Sequence, residues 1–101
     1  HRCRSLLERQ IEEFFIINGV EHVCEPDYPW HSTLNPSGRR ADWIVGNGVF
    51  VEAAGMLGDA AYAEKMEEKR RLADLSGIQL VVVTPEDLEQ LADLFLPYMD
   101  K

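Results

Sequence analysis

The stretch Arg40-Ala41-Asp42-Trp43-Ile44-Val45-Gly46-Asn47-Gly48-Val49-Phe50-Val51-Glu52-Ala53-Ala54-Gly55 constrains this chain more than any other. It reads as two apolar strands around a glycine turn. β-Branched and aromatic residues fill both runs, and Gly46-Asn47-Gly48 supplies the positive-φ positions a hairpin turn requires. Each run also carries one carboxylate that burial alone would not select. Register decides what these acids mean. With three loop residues, opposed positions sum to a constant and Asp42 faces Glu52. A two-residue Asn-Gly loop would slip the pairing by one and send the acids to opposite faces. Directly opposed acids sit roughly 5 Å apart at Cβ, where like charges repel. Such a pair persists only with a positive charge between its members, and a divalent metal ion is the evident candidate.

A chain of 101 residues is read as a single domain, 1–101, large enough for a core without metal or disulfide support. Its hydrophobic fraction of 46% is ordinary, and no apolar run is long enough to span a bilayer, so no membrane partner is expected. The first residue is His1 and not Met, which is read as the mark of an excerpt from a longer protein. Cys3 and Cys24 lack paired metal-ligand spacing; they read as free thiols of an intracellular, cytoplasmic protein. The net charge of −8 excludes a general nucleic-acid coat protein, which needs a basic surface. A nucleic-acid enzyme stays open, because its site is itself acidic and companion domains can do the binding.

Punctuation along the chain is clear. Ser5 caps a helix whose Leu6, Leu7, Ile11, Phe14 and Phe15 recur at helical spacing, ending near Asn18-Gly19. Val20 to Cys24 is a short strand. Glu25 to Arg39, with Pro26, Pro29 and Pro36, is a loop long enough to be functional. After the hairpin, Gly55 to Asp59 turns into a helix from about Ala60 to Ser76, closed by Gly77. Ile78 to Val83 reads as a strand buried on both faces. Thr84, Pro85, Glu86 and Asp87 then open a last helix with Leu88, Leu91, Ala92, Phe95 and Met99 inward. The order α-β-β-β-α-β-α predicts an α/β (α+β) domain: a mixed central sheet flanked by helices, with one extra C-terminal helix.

The long middle helix holds a second anomaly. Tyr62, Met66, Leu72, Ala73 and Leu75 define a loose inward stripe, and Lys65 and Lys69 fall along it. The outer face carries Glu64, Glu67, Glu68 and Arg71. An inward lysine usually snorkels to the edge. Because this helix follows the strand bearing Glu52, an ammonium on its inner face can instead reach the carboxylate pair.

These residues together resemble the restriction-endonuclease-like, or PD-(D/E)XK, nuclease superfamily, whose core has the order α-β-β-β-α-β. Asp42 in Arg-Ala-Asp-Trp is similar to the first acid of its signature and Glu52 in Val-Glu-Ala-Ala to the second. Ala54 stands where the pattern has lysine. In several branches that lysine has moved to the following helix, and Tyr62 to Lys69 resembles this arrangement, with Lys69 the better match and Lys65 the other candidate. A glutamate in the first helix is matched by Glu8, with Glu12 as the alternative. The resemblance covers Ser5 to Leu88.

The resemblance implies a Mg²⁺-dependent endonuclease, with Mn²⁺ as substitute, acting on DNA. Asp42, Glu52 and the Ala53 carbonyl would hold the ion, and Glu8 would hold a second one through water or position a water. Lysine would orient or deprotonate the attacking water. Arg39, Arg40 and His22 are candidate nucleic-acid contacts. His22 and His31 are alternatives for the water-activating group, and Tyr28, Trp30 and His31 for stacking on a base. Surface, packing or loop-folding roles are open for all of them. Additional domains of the same protein and a homodimer are expected partners. The alternative is a degenerate nuclease-like module used for nucleic-acid or protein binding or dimerisation, favoured by Ala54 and the acidic surface. A carboxylate-pair glycosidase fits poorly, since opposed acids are too close for inversion.

Overall fold

The computed structural model describes residues 5–99, so Cys3 lies outside the described residues. The Ser5 hydroxyl accepts from the Glu8 amide at 3.2 Å, and α1 (Leu6–Ile17) opens at the expected cap. Leu7, Ile11 and Phe15 are buried. Leu6, expected on the same stripe, is exposed. Buried Val20 leads into β1 (His22–Cys24), two residues shorter at its start than predicted. Glu25 then takes the left-handed conformation at φ 54°, unusual for a residue with a side chain, and turns the chain into the proline loop.

β2 (Trp43–Val45) and β3 (Val49–Ala53) flank the glycine turn. Trp43 pairs with Val51, Ile44 with Phe50 and Val45 with Val49, so the loop has three residues and the same register puts Asp42 opposite Glu52. Gly46 and Gly48 take positive φ, 55° and 121°, as the turn demands. α2 (Ala60–Ser76) starts on the Asp59 side chain and ends on Gly77 at φ 69°. It carries the chain across to β4 (Leu80–Val83), parallel to β3. The sheet order is β1-β2-β3-β4 with β1, β2 and β3 antiparallel, a mixed α+β architecture.

Strand alternation splits the core in two. Trp43, Val45, Val51 and Val83 face α1 and the C-terminal segment, where Ile11, Phe15 and Phe95 are fully buried. Phe50 faces the other way, onto Leu72 of α2 and Tyr28 of the loop. Glu52 follows Phe50 at a spacing of two and is carried to that same side. Met66, Leu72 and Ala73 are the buried residues of α2; Leu75 is 69% exposed and leaves the expected stripe.

Two expectations for the C-terminal third are corrected. β4 is an edge strand and only Val83 is fully buried, because nothing pairs with its outer side among the described residues. The last helix is not continuous. Asp87 accepts from both the amide and the hydroxyl of Thr84, and a 3₁₀ helix spans Pro85–Gln90. A short α3 (Leu91–Phe95) and a second 3₁₀ turn (Leu96–Tyr98) follow. Pro97 has no amide to extend α3, and the tighter 3₁₀ period rotates the inward face. Leu91 and Phe95 are therefore buried, Leu88, Leu94 and Met99 pack against them, and Ala92 is exposed. Among the described residues no helix is long and apolar enough to cross a membrane.

Candidate active site

The end of the hairpin opposite its glycine turn opens into a cleft of about 540 Å³ between the sheet, α1 and α2. Three carboxylates line it: Glu8, Asp42 and Glu52. Glu52, on the central strand and covered by α2, is only 2% exposed. A charge buried so deeply requires partners, and it has two. Lys69 reaches down from α2 and places Nζ 2.8 Å from Glu52 Oε2. The Tyr28 hydroxyl donates to the same oxygen at 2.9 Å. Lys69 also donates to the Arg40 carbonyl at 3.0 Å and lies 5.8 Å from the centre of the Tyr28 ring.

Asp42 uses one oxygen locally. Its Oδ2 accepts from the Ala53 amide at 2.8 Å, while the Tyr62 hydroxyl donates to the Ala53 carbonyl at 2.9 Å. Both partners of Glu52 meet the same oxygen, Oε2, and the residue lines the cleft. The Glu52 carboxyl is raised to about 7 on balance, with burial the largest cause. The Lys69 ammonium and its hydrogen bond pull it back, Asp42 pushes it further up, and the Tyr28 hydroxyl lowers it. Burial and then the Glu52 charge hold the Tyr28 hydroxyl above its ordinary value; burial, Asp42 and Glu52 do the same at Tyr62.

The sequence-derived candidates divide clearly. Asp42, Glu52, Ala53, Glu8, Lys65 and Lys69 all line this cleft. Lys69 is the lysine in contact with Glu52, and Lys65 is exposed on the rim. Ala54, at the position where lysine is usual, is buried and contributes no charge. Glu8, not Glu12, faces the cleft. Glu12 accepts from the Trp43 indole at 3.2 Å and from the Cys24 thiol at 3.4 Å on the opposite side of the sheet. Arg39 and Arg40 line the cleft but are engaged, Arg39 with Glu68 and the Leu34 carbonyl, Arg40 with Asp27.

His22 lies apart from the other candidates. It is not among the cleft residues: the pleat of β1 turns it towards α1, where its ring lies 5.2 Å from Phe15, Nδ1 is 2.8 Å from the Val20 carbonyl and Nε2 is 3.6 Å from Glu12. His31 is spent on its own loop, its Nδ1 accepting from the Thr33 and Leu34 amides. Trp30 is 71% exposed, whereas Tyr28 is folded under the sheet. Tyr28 and Tyr62 are the site residues that sequence reasoning missed as polar groups. Tyr62 had a signal, since it precedes Lys65 by three and Lys69 by seven on one helix face. Tyr28 had none beyond its place in the proline loop.

Among the described residues no three His, Cys, Asp or Glu side chains converge to hold a metal ion. Glu8 therefore does not complete a three-carboxylate set. Mg²⁺ does not require one, because it binds through one or two carboxylates and fills its octahedron with water and phosphate. The second oxygens of Asp42 and Glu52 are hard donors with no hydrogen bond among the described residues, so the donor set fits such an ion. No known protein family, curated protein or solved structure matches this chain. The reading of the cleft accordingly rests on its own geometry.

Proposed function

We propose that this domain is a metal-dependent phosphodiesterase of restriction-endonuclease-like architecture, hydrolysing DNA. The observation that carries the reading is the meeting of Asp42, Glu52 and Lys69 at one end of the β2–β3 hairpin, in a cleft rimmed by further cations. The element order α-β-β-β-α-β around a mixed sheet is the architecture that resemblance implies. Asp42 and Glu52 would hold Mg²⁺ or Mn²⁺, with the Ala53 carbonyl as a further ligand.

Such an ion supplies Lewis acidity, polarising a phosphoryl oxygen and making water a stronger acid. The chain's own groups do the rest. Lys69 keeps Glu52 available as a carboxylate and presents positive charge where the phosphate gains negative charge. Lys65 and Arg40 on the rim attract the phosphodiester. The Arg40–Asp27 pair is largely exposed and so exchanges readily for phosphate. Four cations against three carboxylates line the cleft, although the chain carries a net −8. An intracellular setting, further domains for DNA recognition and a homodimer that cuts both strands belong to the same reading.

A second reading is favoured by the Lys69–Glu52 contact itself. Two groups satisfied by one another, with Ala54 at the usual lysine position, describe a nuclease-like module retained for binding or dimerisation. Thermal unfolding with and without millimolar Mn²⁺ separates the two. In the catalytic reading the wild type is stabilised by mass action, and Asp42→Asn and Glu52→Gln lose both this stabilisation and DNA cleavage while staying folded. Wild-type cleavage by either variant, or no stabilisation of the wild type, overturns it in favour of the module.

A further inference from the structure

We infer that Tyr28 is the positioning residue of the metal-holding carboxylate, delivered to the site by the proline loop. The inference rests on the metal reading above. Tyr28 is a loop residue whose ring completes the smaller core cluster with Ala41, Phe50 and Leu72, and whose hydroxyl is carried through that cluster to the site. Tyr28 is 4% exposed; its ring packs edge-on against Phe50 at 5.0 Å, and its hydroxyl ends on Glu52 Oε2.

The loop is built to hold it there. The Tyr28 amide donates to the Arg39 carbonyl at 2.9 Å, which closes the loop across its base. Asn35, itself 1% exposed, spends its side-chain amide on the carbonyls of Tyr28 at 3.3 Å and Pro29 at 2.8 Å. The ring therefore arrives on a backbone fixed from both sides. Lys69 cannot do this alone, because its ammonium ends a flexible four-carbon stem and is shared with the Arg40 carbonyl.

Two donors on one oxygen have a geometric consequence. With Oε2 taken by both Tyr28 and Lys69, the carboxylate is held so that its other oxygen is the one left for a ligand in the cleft. Remove the hydroxyl and Glu52 regains rotational freedom about its side-chain bonds while its burial is unchanged. Outer partners that orient a ligating group typically account for about 10–100-fold in metal affinity.

Tyr62 offers the contrast. It is also a tyrosine and also donates to the metal-holding segment, and unlike Tyr28 it lines the cleft itself, but its acceptor is the Ala53 carbonyl, a candidate ligand it competes for and does not orient. The experiment is Mn²⁺ titration of the full chain without DNA, followed by calorimetry, on wild type, Tyr28→Phe and Tyr62→Phe, with circular dichroism as the control for folding. Tyr28→Phe keeps the ring and removes only the hydroxyl; it is expected to weaken Mn²⁺ binding about 10–100-fold. Tyr62→Phe is expected to leave the affinity unchanged or tighter.

Equal affinity of wild type and Tyr28→Phe overturns the positioning role and leaves the metal reading standing. Equal weakening in both variants overturns it too, since any lost hydroxyl would then suffice. A wild type that takes up no Mn²⁺ overturns the metal reading and this role together. Should Tyr28→Phe fail to fold, Asn35→Ala loosens the loop with the hydroxyl retained. It is expected to weaken Mn²⁺ binding, and wild-type affinity there overturns the proposal.

Discussion

Glu52 is the buried charge of the candidate site. Its carboxyl sits in a site dry enough to favour the neutral form, and the Lys69 ammonium works against that preference. Removing Lys69 leaves a buried acid without its counter-charge, a change that costs several kcal/mol unless the acid takes up a proton. Lys65 has no such partner in the cleft and stays in solvent. Lys69→Ala is therefore expected to lower DNA cleavage by orders of magnitude, and Lys65→Ala only several-fold, in steady-state assays of both variants. Equal losses would move the role off the helix position that contacts Glu52.

At the scale of elements, the hairpin turn and the C-terminal segment are coupled. Gly46 takes φ 55°, and a Cβ built there would lie 2.8 Å from the Tyr98 ring. Gly77 takes a similar φ of 69° with nothing within 4 Å. Both substitutions to alanine incur left-handed strain of about 1 kcal/mol, and Gly46→Ala adds a displacement of Tyr98. Urea unfolding should accordingly show Gly46→Ala as the more destabilised of the two, with an unchanged denaturant slope. Equal midpoints would mean that the Tyr98 segment yields freely, and the turn is not pinned by it. The Asp42–Glu52 register depends on this turn, although both acids lie at the other end of the strands.

For the whole molecule, the carboxyl at about 7 makes global stability depend on pH with an unusual sign. In the unfolded chain Glu52 titrates near its ordinary 4.5 and in the folded one near 7, so between these values the folded state binds more protons. This contribution is complete below about pH 4.5 and is lost as pH rises through 7. Urea midpoints measured from pH 4 to 8 should fall more steeply for the wild type than for Glu52→Gln, which has no proton to lose. Saturating Mn²⁺ should reverse the trend, since the ion displaces the proton and binds more tightly as pH rises.

How much of this could be read from residues alone follows from the range of the interactions involved. Local rules give the Ser5 cap, the Gly77 stop and a glycine turn between two strands, and of the two registers that turn allows the structure shows the one in which Asp42 and Glu52 oppose one another. Helical periodicity placed Lys65 and Lys69 on the side facing the sheet, but only the packing of α2 decided that Lys69 meets Glu52 and Lys65 the solvent. The C-terminal helix was misjudged because its stripe was counted at 3.6 residues per turn through a segment that Pro85 and Pro97 keep in 3₁₀ geometry. A strand as short as β1 shows no alternation, so the sequence does not reveal that His22 faces α1 and not the cleft. Tyr28 was beyond any local signal. Its contact with Glu52 spans 24 positions and depends on the path of a loop, which side-chain bonds from Asn35 and closure at Arg39 hold in place. Sequence by itself therefore determined the order of the elements up to β4 and the presence of one acid on each hairpin strand, because caps and turns are set by neighbours along the chain. Tertiary structure alone decided which groups share the Glu52 oxygen, because that depends on how a loop and a helix from distant parts of the chain settle over one buried charge.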